Sequence, residues 1–280
     1  MGNAQPLPDG SAWRLFVRAV AARAYPRLVG QQRERWWLFF DTTLPLVGLS
    51  AYVFAYRALD APADFVGFVI LGGAMSAYWL NILWSMGHQL YMEKQTGNLP
   101  LYIIAPAPLM AVLLGMAVGG MAATTARAAA ILLVGTLAFG VHFSIANVGM
   151  LVAVFALSMS ALYGLGMTCA SLFLLYGREA WHLVQVAQEP IYLASGLYFP
   201  VNGFPRAVAF AVSLIPLTLA IDAIRQLTLS SGAAVGLLSV GHEVAALGVL
   251  TVIFVYSAWR LIRLMERLAR DGASLTERDA

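Results

Sequence analysis

The stretch from Pro190 to Leu229, PIYLASGLYFPVNGFPRAVAFAVSLIPLTLAIDAIRQLTL, constrains the fold more than any other. It is too apolar for a surface loop and too interrupted for one membrane helix. Pro200, Pro205 and Pro216 divide it, and each proline removes a backbone donor and clashes with the preceding turn. The pieces between Pro205, Pro216 and Leu229 are about half the roughly 20 residues that a spanning helix needs. Apolar pieces of that length persist at membrane depth only where protein or a water cavity covers their backbone. The pattern predicts a span ending near Phe199, a turn at PVNGFP, and a re-entrant hairpin of two short helices over 200–229. Asp222 and Arg225, spaced i and i+3, fall on one face of the second helix, where they can pair.

The rest of the chain reads as the bundle around that hairpin. It is 60% hydrophobic and 11% charged, against about 25% charge in a soluble domain, so an integral membrane protein is expected. The one cysteine, Cys169, excludes a disulfide framework and a multi-cysteine metal site. The basic excess is almost all arginine, clustered toward the ends, and suits a lipid bilayer with anionic headgroups rather than nucleic acid.

In chain order, residues 1–35 form a cytoplasmic N-terminus without a signal peptide. Trp13, Phe16, Val17, Val20 and Ala24 recur there at helical spacing while Arg14, Arg18 and Arg27 fall largely elsewhere, which predicts an amphipathic interfacial helix. A membrane body over 36–264 holds six expected spans, near Trp36–Tyr56, Phe65–Met86, Met110–Phe139, Val148–Leu175, His182–Phe199 and Glu243–Leu264. Asp41 lies near a membrane boundary and is discounted as a catalytic acid. A polar segment, 88–108, separates the second and third spans. Gly115, Gly119 and Ala123 offer one close-packing face, and Ser160, Gly164 and Gly166 another. Arg127 either snorkels to the far headgroups or lines a polar cavity. Glu189 is either a functional charge or a structural hydrogen-bonding group. Residues 265–280 are a polar tail.

Orientation follows from the cations. With both termini inside, the cytoplasmic side collects thirteen of the 17 basic residues, Arg14 through Arg35, Lys94, Arg178 and the tail arginines among them. The far side keeps Arg57, Arg206 and Arg225, with Arg127 undecided. That asymmetry predicts a multi-pass protein of the cytoplasmic membrane with both termini cytoplasmic.

Signatures of catalysis are missing. His88, His142, His182 and His242 are scattered, no HExxH or GxSxG occurs, and no two carboxylates fall at matched membrane depth. Lys94 follows Glu93 rather than a glycine, so there is no GxxxxGK[ST] loop for ATP. No catalytic, cofactor-binding or metal-binding residue is assigned, and an energy source has to come from a partner.

Two local motifs carry a family resemblance. Glu93, Lys94, Gly97 and Leu99, followed by Pro106, resemble an E-K-x-x-G-x-L run with a proline downstream. Ser195, Gly196, Phe199, Pro200, Pro205, Pro216, Leu217, Thr218, Asp222 and Arg225 resemble an SG-x-x-FP turn followed by a P-L-T-x-x-I-D-x-x-R helix. With the six-span layout, the chain resembles the membrane subunit of type-2 ABC exporters, over nearly its whole length. Pro100 departs from the pattern and is expected to bend the segment after Leu99.

The resemblance implies a half-transporter, not an enzyme in itself. Two ATPase subunits, carrying the ATP and Mg, would assemble with this chain and a second permease copy, identical or related. Glu93, Lys94, Gly97, Leu99 and Pro106 would couple to the ATPase, the first two as rim contacts. A substrate route between the copies would be lined by Tyr52, Tyr56, Asn81, Glu189 and Tyr192 and gated by Phe199 and Phe204. A drug-like or lipid-like amphiphile is the expected cargo. A lipid-linked sugar or polysaccharide is the alternative, and an ion-coupled carrier or a membrane transferase stands further off.

Overall fold

The computed structural model describes residues 9–33, 35–83, 88–145, 147–176, 178–230, 232 and 236–270. The first eight residues, Met86 at the expected end of the second span, the tail beyond Arg270 and the side chain of Asp41 lie outside the described residues. The fold is all-α, at 85% helix with no strand among the described residues. The order is α1 (Asp9–Arg33), α2 (Arg35–Ala58), α3 (Asp64–Leu80), α4 (His88–Gln95), α5 (Leu99–Ile104), α6 (Leu109–Phe139), α7 (Val148–Tyr176), α8 (Arg178–Ala194), α9 (Arg206–Ser213), α10 (Pro216–Thr228) and α11 (Val240–Arg270).

Four stretches among the described residues are long and apolar enough to cross a membrane: Asp64–Leu83, Leu109–Phe139, Val148–Tyr176 and Val240–Leu268. They mark the chain as a membrane protein. The expected first and fifth spans coincide with α2 and α8, which are not among these four. The fifth is shorter than expected. Helix α8 ends at Ala194 after 17 residues, and Ser195–Phe199 forms a turn, because Gly196 takes a left-handed φ of 86° that stops the helix.

The apolar core sits around α3, whose window is 94% buried, whereas that of α11 is 17% buried and faces outward. Helices α2, α6 and α10 surround α3, and α11 runs along α7. Gly164 allows that approach, since a Cβ there would meet the backbone of Phe254 and Val255 at 3.1–3.2 Å. Ser160, expected on the same face, is exposed and bonds within its own helix to Ala156 O.

Helix α1 lies against the bundle. It packs along α6, where Gly115 and Gly119 receive the backbone of Val20 and Ala24. Arg27, placed by the sequence on the polar face, is half-buried and donates from Nη1 to Met116 O on α6 at 3.1 Å. The small-residue stripe on α6 thus admits α1.

The proline-broken stretch folds as two short helices meeting at 100°. Pro216 opens α10 and holds Ile215 extended, at φ −89° and ψ 119°, as the steric demand of a following proline requires. Thr218 Oγ1 then donates to Val212 O at 2.7 Å and fixes the corner.

Candidate functional site

The motif residues gather at two places. The first is the 88–108 segment. Helix α4 ends in a turn where Gly97 N–H bonds Lys94 O at 3.0 Å and Asn98 N–H bonds Glu93 O at 2.9 Å. This paired closure needs a left-handed residue, and Gly97 supplies it at φ 76°. Pro100 does not bend a continuing helix. It stands in the first turn of a new one, α5, where its missing N–H has no partner to lose.

Glu93 and Lys94, expected at a rim, are buried in this chain. They are 8% and 6% exposed, against the bundle where α4 packs on α7. Glu93 Oε1 pairs with Arg23 Nη2 of α1 at 2.5 Å, and Oε2 accepts from Asn98 Nδ2 at 3.1 Å. Tyr102 of α5 completes the cluster, hydrogen-bonded to Glu93 and lying under the Arg23 guanidinium at 5.3 Å. Burial, with the Glu93 charge and hydrogen bond, outweighs Arg23 and raises the Tyr102 phenol above its usual pKa, so it stays a donor. A buried charge held by several partners ties α1, α4 and α5 into one bracket.

The bracket exposes Thr96 and Asn98 at its turn and large apolar side chains on either side of it. Leu99 is fully buried, whereas Leu101 and Ile104 are 60% and 77% exposed and Met92 is exposed on α4. Pro106, also exposed, lies in the turn before α6. It borders a cavity of about 200 Å³ with Tyr102, Leu109 and Glu266. Glu266 of α11 reaches over to accept from Leu109 N at 2.8 Å, satisfying an orphan donor at the start of α6.

The second place surrounds Arg225. The expected pair with Asp222 is not formed. Instead the Arg225 guanidinium donates to Gly196 O, to Leu197 O at 2.9 Å and to Phe68 O at 2.7 Å, and lies 3.2 Å over the Phe68 ring. The buried carbonyls of the helix-ending turn, left without helical N–H partners, compete better for the planar fork than a carboxylate one turn away. Asp222 turns to the other side, accepting from Leu237 N at 2.6 Å and Gln226 Nε2 at 3.2 Å. The same Gln226 Nε2 donates to Glu243 Oε1 at 3.2 Å, so one amide bridges the two carboxyls. A carboxylate pair therefore exists, though the sequence offered no sign of it; Asp222 and Glu243 belong to different helices.

The expected lining residues divide. Tyr52, Tyr56 and Phe199 come together beside the Arg225 turn. Tyr52 stacks on Tyr198 at 4.2 Å and 7°, Phe199 lies edge-on to Tyr52 at 6.0 Å, and Tyr56 donates to Tyr198 O at 2.9 Å. Tyr192 is half-buried and Glu189 exposed, both on α8, and Phe204 is half-buried just before α9. Asn81 lies elsewhere, buried and accepting from Tyr163 OH at 3.2 Å, near Arg27. Pro200 and Pro205 bound a short 3-10 turn over Val201–Gly203. Arg127 is half-buried in the second half of α6.

Arg23, Tyr102, Phe68 and Glu243 escaped the sequence reading. No spacing signal links Arg23 to Glu93, 70 residues apart. Gly72 escaped it too, and a Cβ there would overlap Leu197 O.

No protein-family model and no curated protein matches this chain.

Proposed function

We propose that this chain is the permease half of an ATP-driven exporter of the type-2 ABC kind, moving a drug-like or lipid-like amphiphile out across the cytoplasmic membrane. The observation that carries the reading is the bracket over 88–108. Glu93 and Lys94 are buried, with Glu93 held by Arg23, Asn98 and Tyr102, while Met92, Leu101 and Ile104 are exposed. An isolated loop in water has no reason to bury a glutamate and a lysine and expose three large apolar side chains. A contact taken up by a partner subunit supplies that reason.

On this reading α2 and α8 complete six spans, α1 braces the cytoplasmic bracket, and the arginine asymmetry puts both termini in the cytoplasm. Two ATPase subunits close on ATP and push on the bracket, which moves α3 and α6 on either side of it. The cluster of Tyr52, Tyr56, Tyr198 and Phe199 closes the route between this chain and a second permease copy. Arg225 holds the turn that carries two of those rings. ATP and Mg bind the partner, and this chain supplies no catalytic group.

The test is co-purification of the full chain with candidate ATPase subunits in lipid nanodiscs. A stoichiometric complex, lost when Leu101 and Ile104 are both changed to Asp, is the expected result. Failure of every ATPase to associate would remove the exporter reading and reopen the carrier and transferase.

A further inference from the structure

We propose that the apolar cavity between α9, α10 and α11 is a binding site for one acyl chain of an anionic phospholipid, with the headgroup phosphate held by Arg206. The cavity measures about 480 Å³, within the range of about 300–1,000 Å³ typical of small-molecule sites. Ala209 and Phe210 of α9, Leu219 of α10, and Ala246, Val249 and Leu250 of α11 line it.

The polar groups at its edge are few and unequal. Ser213 is satisfied within α9, donating to Ala209 O at 2.6 Å. Arg206, at the first position of α9, is exposed and makes no ion pair or hydrogen bond among the described residues. An apolar cavity with one free guanidinium at its rim matches a molecule with a long hydrocarbon part and one anionic end. Guanidinium binds phosphate by two parallel hydrogen bonds.

Depth agrees with that occupant. Helix α11 begins at Val240, so at about 1.5 Å per residue Ala246 lies about 9 Å along it and Leu250 about 15 Å. That is one leaflet of a hydrocarbon core about 30 Å thick. Phe210, Leu214 and Val249 are exposed around the opening, as residues facing lipid are. A docked protein helix, about 10 Å wide, would place only about one turn in this volume. A flexible acyl chain fills it.

The site requires only that the chain be in a bilayer, so its test is separate from any ATPase. The full chain is reconstituted in nanodiscs holding equal phosphatidylglycerol and phosphatidylcholine, then released into detergent, and retained lipid is counted by native mass spectrometry. The wild-type chain is expected to keep one phosphatidylglycerol about fivefold over phosphatidylcholine, the ratio that one arginine near a membrane surface supplies. Arg206→Gln is expected to keep one lipid and lose the preference. Ala246→Phe, filling the cavity, is expected to lose the lipid. Val249→Trp does the same from an exposed position that leaves the core untouched, and unchanged circular dichroism verifies the fold. No preference in the wild type, a preference surviving Arg206→Gln, or lipid retained by both filled variants would overturn the proposal. So would a dimer that Val249→Trp dissolves, since a second copy would then occupy the site.

Discussion

Arg225 lies with its guanidinium 3.2 Å over the ring of Phe68, while the same group bonds Phe68 O at 2.7 Å. One side chain thus joins α10 to the central helix α3, and its bonds to Gly196 O and Leu197 O add the turn after α8. Arg225→Leu leaves Gly196 O and Leu197 O without a donor, while Phe68 O keeps the helical N–H four residues on. Each buried acceptor left unsatisfied costs about 1–3 kcal/mol, so a total of about 3–5 kcal/mol is expected. Arg225→Lys rescues little, because a point charge cannot serve a planar fork. Melting in detergent checks both: the two variants should fall well below the wild type.

Gly72 gives a sharper steric test of the same junction. A Cβ there would stand 1.8 Å from Leu197 O and 2.8 Å from Arg225 Nη2. Gly72→Ala is expected to destabilise by about 3 kcal/mol, the upper part of the usual range for overpacking. Gly48 has nothing within 4 Å of its built Cβ, so Gly48→Ala should be neutral or add up to about 1 kcal/mol of helix propensity. Equal melting temperatures for the two alanine variants would contradict this packing.

How far these contacts were legible in the sequence depends on the reach of their causes. Prolines and glycines act on their own dihedrals, so the corner at Pro216 and the turn at Gly97 could be read directly. The partners of charged residues could not. Arg23 and Arg27 look like solvated positions on a helical wheel, yet Glu93 and Met116 O, 70 and 89 residues away, receive them. Spacing allowed Asp222 to meet Arg225 but could not show that carbonyls after α8 would win the guanidinium. The carboxyls of Asp222 and Glu243 met for the same nonlocal reason.

The Arg23–Glu93 pair predicts a coupling free energy. With Arg23 partly exposed and Glu93 nearly buried, at 27% and 10% of their side chains, a value near 1 kcal/mol is expected, at the low end of about 0.5–3 kcal/mol for contacting residues. A double-mutant cycle of Arg23→Gln and Glu93→Gln, read by thermal melting, measures it. Strict additivity would mean that α1 does not brace the bracket.

The aromatic cluster separates the two gate candidates. Tyr52 stacks on Tyr198 and touches Phe199, and such ring pairs contribute about 0.5–1.5 kcal/mol beyond burial. If the proposed gate is this cluster, Tyr52→Ala should loosen it and raise passive leak of a small dye from proteoliposomes. Phe204 makes no ring contact with that stack among the described residues, and Phe204→Ala should leave the leak at the wild-type level.

ATP turnover by the reconstituted complex is the measurement that bears most directly on the proposed permease function. Wild-type chain, Gly97→Val and the double change Leu101→Asp with Ile104→Asp are compared with one ATPase partner in nanodiscs. Coupling through the bracket predicts at least a tenfold loss of permease-dependent turnover in both variants, with circular dichroism of the bundle unchanged. Turnover that persists at the wild-type level in folded variants, or that never depends on this chain, would contradict it.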